Sequence, residues 1–273
     1  MGSRSLKFYL LPLIVVLTAF SLAGCTSNED LPKGTKLKEI KVFAAASLTE
    51  CFGELAKEFE RQELGSVKVV LNFAGSQSLV TSIENGSNAD IFAAASVNYM
   101  DSLKSKNLIK DYKIFAKNKL VLIKNQKNNI DISKFSDLAA DGITLAVGDN
   151  RVPVGMYWKK ACEEALKNDY ITEKLNIKIK QNVKTRELSV KDIVSKVLVN
   201  EVDIGVVYRT DITSANEGVI KEIAIPELSA ITASYPIAVL NGNELNDSVV
   251  KFYNFINSDV GKDILKKYRF IIE

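Results

Sequence analysis

From Ile40 onward, short apolar runs rich in β-branched residues alternate with longer stretches whose apolar positions recur every three or four residues. The short runs fit buried strands and predict them at 40–45, 67–73, 90–94, 120–123, 143–147, 203–208 and 236–240. The amphipathic stretches predict helices at 48–62, 77–85, 97–105, 155–167, 190–200, 247–257 and 260–268. This alternation implies an α/β fold with largely parallel sheets, in which ligands gather at the carboxyl ends of strands, where helix starts also lie. Two runs, 118–124 and 235–240, read as strands that each cross from one lobe to another. They divide the chain into a first lobe of residues 40–117 plus 236–273 and a second of 118–235, with a ligand cleft and a hinge between them.

The helix starts carry the candidate chemistry. Ser47 ends the first strand and stands three residues before Glu50, a Ser-x-x-Glu capping box, so Ser47 is expected to cap its helix and to turn to a ligand when one is present. Ala74-Gly75-Ser76-Gln77 makes a second strand-to-helix turn whose glycine permits close backbone approach. Val152-Pro153-Val154-Gly155 opens a third helix, with proline leaving the Val154 N–H among the first free donors. Ser189-Val190-Lys191-Asp192 repeats the Ser-x-x-acid pattern and frees the Val190 N–H, and Tyr208 closes a strand with a hydroxyl that can reach into the cleft, although a tyrosine at a strand end also reads as plain amphipathic packing. Ser96 nearly duplicates the surroundings of Ser47 and is expected to be a plain cap; Arg151 and Arg186 are expected to be solvated surface charge. Repeated neutral helix starts suit the holding of an oxyanion, since their N–H groups and dipoles favour negative charge.

Composition narrows this further. The 36 basic and 33 acidic residues of the whole chain leave no basic stripe for nucleic acid, and no histidine is present to serve as a base or a soft-metal ligand. Arg4 and Lys7 precede an apolar stretch from Phe8 to Leu22, and Leu22-Ala23-Gly24-Cys25 follows at once. That arrangement predicts a lipoprotein signal peptide at 1–24, lipid attachment at Cys25 and a tether over 25–39, holding an extracytoplasmic chain to a bacterial membrane. Without the leader the charges stand at 34 against 33, or +1. Cys51 and Cys162 fall in separate helical patterns and read as buried free thiols. A serine hydrolase built on Ser47 or Ser76 lacks a histidine base, a Gly-x-Ser-x-Gly elbow and a Ser-x-x-Lys motif, so an enzyme is not expected.

Taken together, Val42-Phe43-Ala44-Ala45-Ala46-Ser47-Leu48-Thr49, Phe73-Ala74-Gly75-Ser76-Gln77-Ser78-Leu79, Asn88-Ala89-Asp90-Ile91-Phe92, Val152-Pro153-Val154-Gly155 and Gly205-Val206-Val207-Tyr208 resemble, in order and spacing, the substrate-binding proteins of molybdate ABC transporters. The resemblance extends over residues 40–273 and implies a two-lobed periplasmic-binding-protein fold of type II that holds tetrahedral molybdate, and usually tungstate, by hydrogen bonds alone, with no cofactor and no free metal cation. Carried over position by position, it places the contacts on the side chains and backbone of Ser47 and Ser76, the N–H groups of Val154 and Val190, and the Tyr208 hydroxyl. It implies a monomer whose partners are an ABC importer permease and its ATPase; no Gly-x-x-x-x-Gly-Lys-Ser/Thr loop is present here to hydrolyse ATP. Two departures stand out: the segment 148–153 is one residue shorter than the commoner family form, and Val154 replaces the usual alanine. Sulfate or another tetrahedral oxyanion is the rival ligand, since size alone separates sulfate from molybdate.

Overall fold

The computed structural model of the protein describes residues 37–228 and 230–272. The expected leader 1–24, the lipid site at Cys25 and the tether up to residue 36 lie outside the described residues. In chain order the elements are β1 (Lys38–Ala45), α1 (Thr49–Gln62), β2 (Val67–Ala74), α2 (Ser76–Glu84), β3 (Ile91–Ala93), α3 (Val97–Ser105), β4 (Lys113–Asn125), β5 (Leu145–Gly148), α4 (Pro153–Lys167), α5 (Glu173–Asn182), β6 (Val183–Glu187), α6 (Val190–Leu198), β7 (Ile204–Tyr208), β8 (Ile220–Ile223), β9 (Thr232–Val239), α7 (Asp247–Ile256) and α8 (Asp259–Lys267). The first strand thus takes in Lys38 and Glu39, which the sequence assigns to the tether; Lys38 N–H already donates to Ser66 O at 3.2 Å.

Each predicted strand and helix has a counterpart because its burial follows its pattern. In α1 the buried side chains are Cys51, Phe52, Leu55, Ala56 and Phe59, one stripe of a helix. In β7 all five residues of Ile-Gly-Val-Val-Tyr are buried, as a strand covered on both faces requires. Three elements escape the pattern. The edge strand β6, Val-Lys-Thr-Arg-Glu, and the helix α5, Glu-Lys-Leu-Asn-Ile-Lys-Ile-Lys-Gln-Asn, are dominated by polar residues, and β8 is a four-residue strand lying on β4.

The strands pair in the order β2-β1-β3-β9-β4-β7-β5-β6, with β8 paired to β4 off this path. The expectation of largely parallel sheets needs correction: β1 pairs parallel with β2 and β3, and β5 with β6 and β7, whereas every pairing of β4 and β9 is antiparallel. β4 is the reason. Its first half, Lys113 to Lys119, pairs with β9, and its second half, Leu120 to Asn125, pairs with β7 and β8, so this one strand joins two half-sheets. Within each half the helices follow strands whose carboxyl ends point to the same region. β1 ends at Ala45, β2 at Ala74, β5 at Gly148, β6 at Glu187 and β7 at Tyr208.

Candidate functional site

At that convergence of strand ends lies a cavity of about 20 Å³ lined by Ser47, Ser76, Val154, Val190 and Tyr208. All five residues singled out in the sequence therefore meet in one place, although they come from positions as far apart as 47 and 208. The remaining lining is Ala45, Ala46, Gly75, Ala95, Val152, Pro153, Leu188 and Ser189, so no charged side chain faces it. Its volume is far below the roughly 300–1,000 Å³ of organic-ligand pockets. A larger cavity of about 330 Å³, between α4, α5 and β6, contains none of these five residues. Convergent donors, not volume, single out the candidate site.

Each donor owes its position to a helix start or a strand end. Ser76 is the first residue of α2 after Gly75, is 1% exposed, and its Oγ accepts from the Ala95 N–H at 3.2 Å. With its oxygen already an acceptor, its own O–H remains to donate into the cavity. Pro153 and Val154 are the first two residues of α4, and Val190 is the first of α6, so the Val154 and Val190 N–H groups have no intrahelical acceptor. Ser189 caps α6, its Oγ accepting from the Lys191 N–H at 3.3 Å. Val154 directs its side chain toward β5: a Cβ added at Gly148 would lie 2.6 Å from Val154 Cγ1. The valine that replaces the usual alanine thus packs against the strand, behind the backbone donor.

Ser47 departs from its expected part as a cap. It sits in a short 3₁₀ turn, Ala46–Leu48, before α1; the cap position of α1 is Leu48, with no side-chain capping bond. Its hydroxyl instead meets the Tyr235 hydroxyl at 2.8 Å. Tyr235 Oη also accepts from Asn118 Nδ2 at 3.3 Å, and Asn118 Nδ2 donates to Thr210 Oγ1 at 2.8 Å. Either hydroxyl can donate in the Ser47–Tyr235 bond; with Tyr235, already an acceptor from Asn118, as the donor, Ser47 keeps its own hydrogen. This order leaves the Ser47 O–H free to turn to the cavity. Tyr235 and Asn118, which orient the serine from behind, are not singled out by the sequence. The single available signal, a tyrosine inside a buried strand that needs a partner for its hydroxyl, does not say which partner.

Tyr208 is the most telling group. It is 1% exposed, and its Oη has no hydrogen-bond partner among the described residues. Its ring packs edge-on to Tyr157 and Tyr235, with centroids 6.4 and 5.8 Å away. Burial, followed by the neighbouring phenols, holds its pKa well above the ordinary tyrosine value, so it is a donor at any physiological pH. Leaving such a hydroxyl unpaired costs about 1–3 kcal/mol, which an acceptor in the cavity recovers.

The other candidates fall elsewhere. Ser96 caps α3, its Oγ accepting from Asn98 N–H at 3.4 Å, and does not line the cavity. Arg151 pairs with Asp149 at 2.7 Å on the surface. Cys51 and Cys162 are free and buried; burial pushes the Cys162 thiol up to about 12.

Comparison with known proteins bears on the family and the fold. A family model described as bacterial extracellular solute-binding protein matches residues 40–271. The chain is 34% identical over 242 residues to the molybdate-binding protein ModA of Haemophilus influenzae, covering 85% of this chain and 89% of that protein. Among solved structures, the periplasmic molybdate-binding protein of Azotobacter vinelandii superposes with a TM-score of 0.71 at 17% identity, covering 86% of this chain and 99% of that one. The sulfate-binding protein SubI of Mycobacterium tuberculosis does so with a TM-score of 0.73 at 16% identity, covering 85% and 86%. At such identities the two structures speak for the fold alone.

Proposed function

The chain belongs to the bacterial extracellular solute-binding proteins, and from that premise we propose that it captures molybdate, and tungstate alongside it, through neutral hydrogen-bond donors and delivers it to an ABC importer. It is a binding protein that acts outside the cytoplasm, not an enzyme, and no cofactor enters its work. The carrying observation is the buried, unpartnered hydroxyl of Tyr208 in a small cavity shared with Ser47, Ser76 and the helix starts at Val154 and Val190.

Four helix starts supply dipoles and N–H groups without placing a cation in the site, each worth roughly 0.3–1 kcal/mol to an anion beyond its hydrogen bonds. A lining without carboxylates also selects by protonation. Molybdate, tungstate and sulfate are fully ionised near neutrality, whereas phosphate keeps a proton that needs an acceptor, and no carboxylate lines the cavity to provide one. Residues 40–117 with 236–273 form one lobe and 118–235 the other, and the lobes close over the anion about the two strands that cross between them, β4 and β9. The closed form is the one presented to the permease, while the ATPase supplies the energy. Cys25 anchors a monomeric chain to the membrane through its lipid.

Sulfate is the second reading, because a sulfate-binding protein shares this fold and the two ions differ mainly in size. Titration calorimetry of the chain beginning after Cys25 decides the matter. Tight binding of molybdate and tungstate with much weaker sulfate and phosphate is expected; a preference for sulfate changes the transported ion, and no binding of any of the four removes the proposal.

A further inference from the structure

Three of the five donors are carried by segments that one ammonium ties together. Lys191 directly follows Val190 at the start of α6, and its Nζ donates to both carboxylate oxygens of Glu50 on α1, each at 2.9 Å. The same Nζ lies 3.6 Å from Oδ1 of Asp211, in the turn that follows β7. Glu50 stands three residues beyond Ser47, and Asp211 three beyond Tyr208, whose N–H donates to Asp211 Oδ2 at 3.0 Å. The Lys191 and Glu50 side chains are 30% and 35% exposed and that of Asp211 is fully buried. Burial works against the Lys191 charge, but Asp211 and Glu50 outweigh it and hold the ammonium above the ordinary lysine value. None of the three lines the cavity, so their effect on a ligand is exerted through the segments they join.

The sheet topology separates these contacts into two kinds. Lys191 and Asp211 both belong to the half built on β5, β6 and β7, whereas Glu50 belongs to the half built on β1, β2 and β3. The Lys191–Asp211 contact therefore stays within one half, and the Lys191–Glu50 pair reaches across to the other. We propose that Lys191 is a closure latch, a positioning residue held by Asp211 in one half of the molecule that grips Glu50 of the other half once the anion is enclosed, and so slows its release. The inference rests on the cleft-closing reading given above. An interaction present only in the closed state adds to the stability of that state alone, and breaking one partner of such a pair acts mainly on the dissociation rate. A partly exposed pair is also screened by salt, which an inert structural contact between apolar groups would not be.

The test follows release of molybdate by the fluorescence of Trp158, the single tryptophan, one turn beyond Val154 on α4, with affinities from calorimetry. Glu50→Gln is expected to raise the dissociation rate about 3–10-fold, with the association rate within about 2-fold and the ligand-free Tm unchanged. Raising the salt should speed release from the unaltered protein and leave Glu50→Gln nearly unaffected. Lys191→Arg should keep slow release. Lys191→Met should lose it, but it also strands Asp211 without a counter-charge and so lowers stability, which makes Glu50→Gln the decisive variant. A Glu50→Gln dissociation rate equal to that of the unaltered protein overturns the latch, as does an unchanged salt dependence in that variant. Ser76→Ala separates the two levels: if it weakens binding while Glu50→Gln does nothing, the pocket stands and the latch falls; if it too leaves affinity unchanged, the pocket assignment itself fails and takes the latch with it.

Discussion

Tyr208 and Ser47 each present a hydroxyl to the same cavity, yet they differ in what stands behind them, so their removal affects stability differently. Tyr208→Phe deletes a hydroxyl with no partner in the protein, so oxyanion affinity should fall by about 1–3 kcal/mol while the ligand-free Tm stays level or rises. Ser47→Ala should weaken binding by a similar amount but also lower the ligand-free Tm, because the buried Tyr235 hydroxyl loses its Ser47 partner. Calorimetry paired with thermal melts checks both; a stability loss in Tyr208→Phe equal to that in Ser47→Ala would contradict the assignment of the free hydroxyl. Asp211 adds a pH dependence. Burial raises its carboxyl to about 6, with Lys191 and the Tyr208 N–H opposing that rise. A carboxyl that holds its proton more tightly when folded than when unfolded penalises the folded state above that pKa, by about 3 kcal/mol, and the penalty is relieved as the pH falls through 6 toward 4. Asp211→Asn should flatten this part of the stability profile, measured by denaturation between those pH values.

At the scale of elements, the strand-to-helix turns do the positioning, and two glycines show how tightly. Gly75 has an ordinary φ of −59°, so alanine suits its local backbone, but an added Cβ would lie 2.6 Å from Leu188 O, which approaches from the other half-sheet. Gln77 Nε2 donates to that same carbonyl at 3.0 Å. Gly75→Ala is therefore expected to cut oxyanion affinity by tenfold or more, roughly 1.4 kcal/mol, with no loss of ligand-free stability; equal losses in both would mean that the turn fails locally. Gly155 acts differently, since a Cβ there would collide with Asp149 O within the same turn and displace the start of α4 with its Val154 donor. The elements that the sequence displays are those with an apolar stripe or a doubly buried run. α5 and β6 are polar along most of their length, and β8 is short, so their backbones are placed by neighbours that a periodicity does not reveal. Ser-x-x-Glu at Ser47 shows the complementary failure: the local signal is a capping box, and a tyrosine 188 residues away supplies the stronger partner.

For the molecule as a whole, a ligand that binds between two half-sheets joined by β4 should both stabilise and compact it. With molybdate at about a thousand times its Kd, the folded state gains about 4 kcal/mol, or roughly 10 °C in Tm for a chain of this size, and small-angle scattering should report a smaller radius of gyration. A rise in Tm without compaction would mean that the anion binds a cleft already shut. The sequence by itself determined the α/β class, nearly all the strands and helices, the five candidate residues and the lack of histidine, because apolar periodicity, small-residue turns and residue chemistry are local properties. Tertiary structure alone decided that β4 and β9 run antiparallel through the middle of the sheet, that Ser47 is aligned by Tyr235 and Asn118, that Tyr208 ends without a partner, and that Lys191 spans Glu50 and Asp211. Those facts depend on pairs of residues from 20 to 188 positions apart, and which of many tyrosines, asparagines and lysines will meet is fixed by packing, in which no single residue's preference is visible.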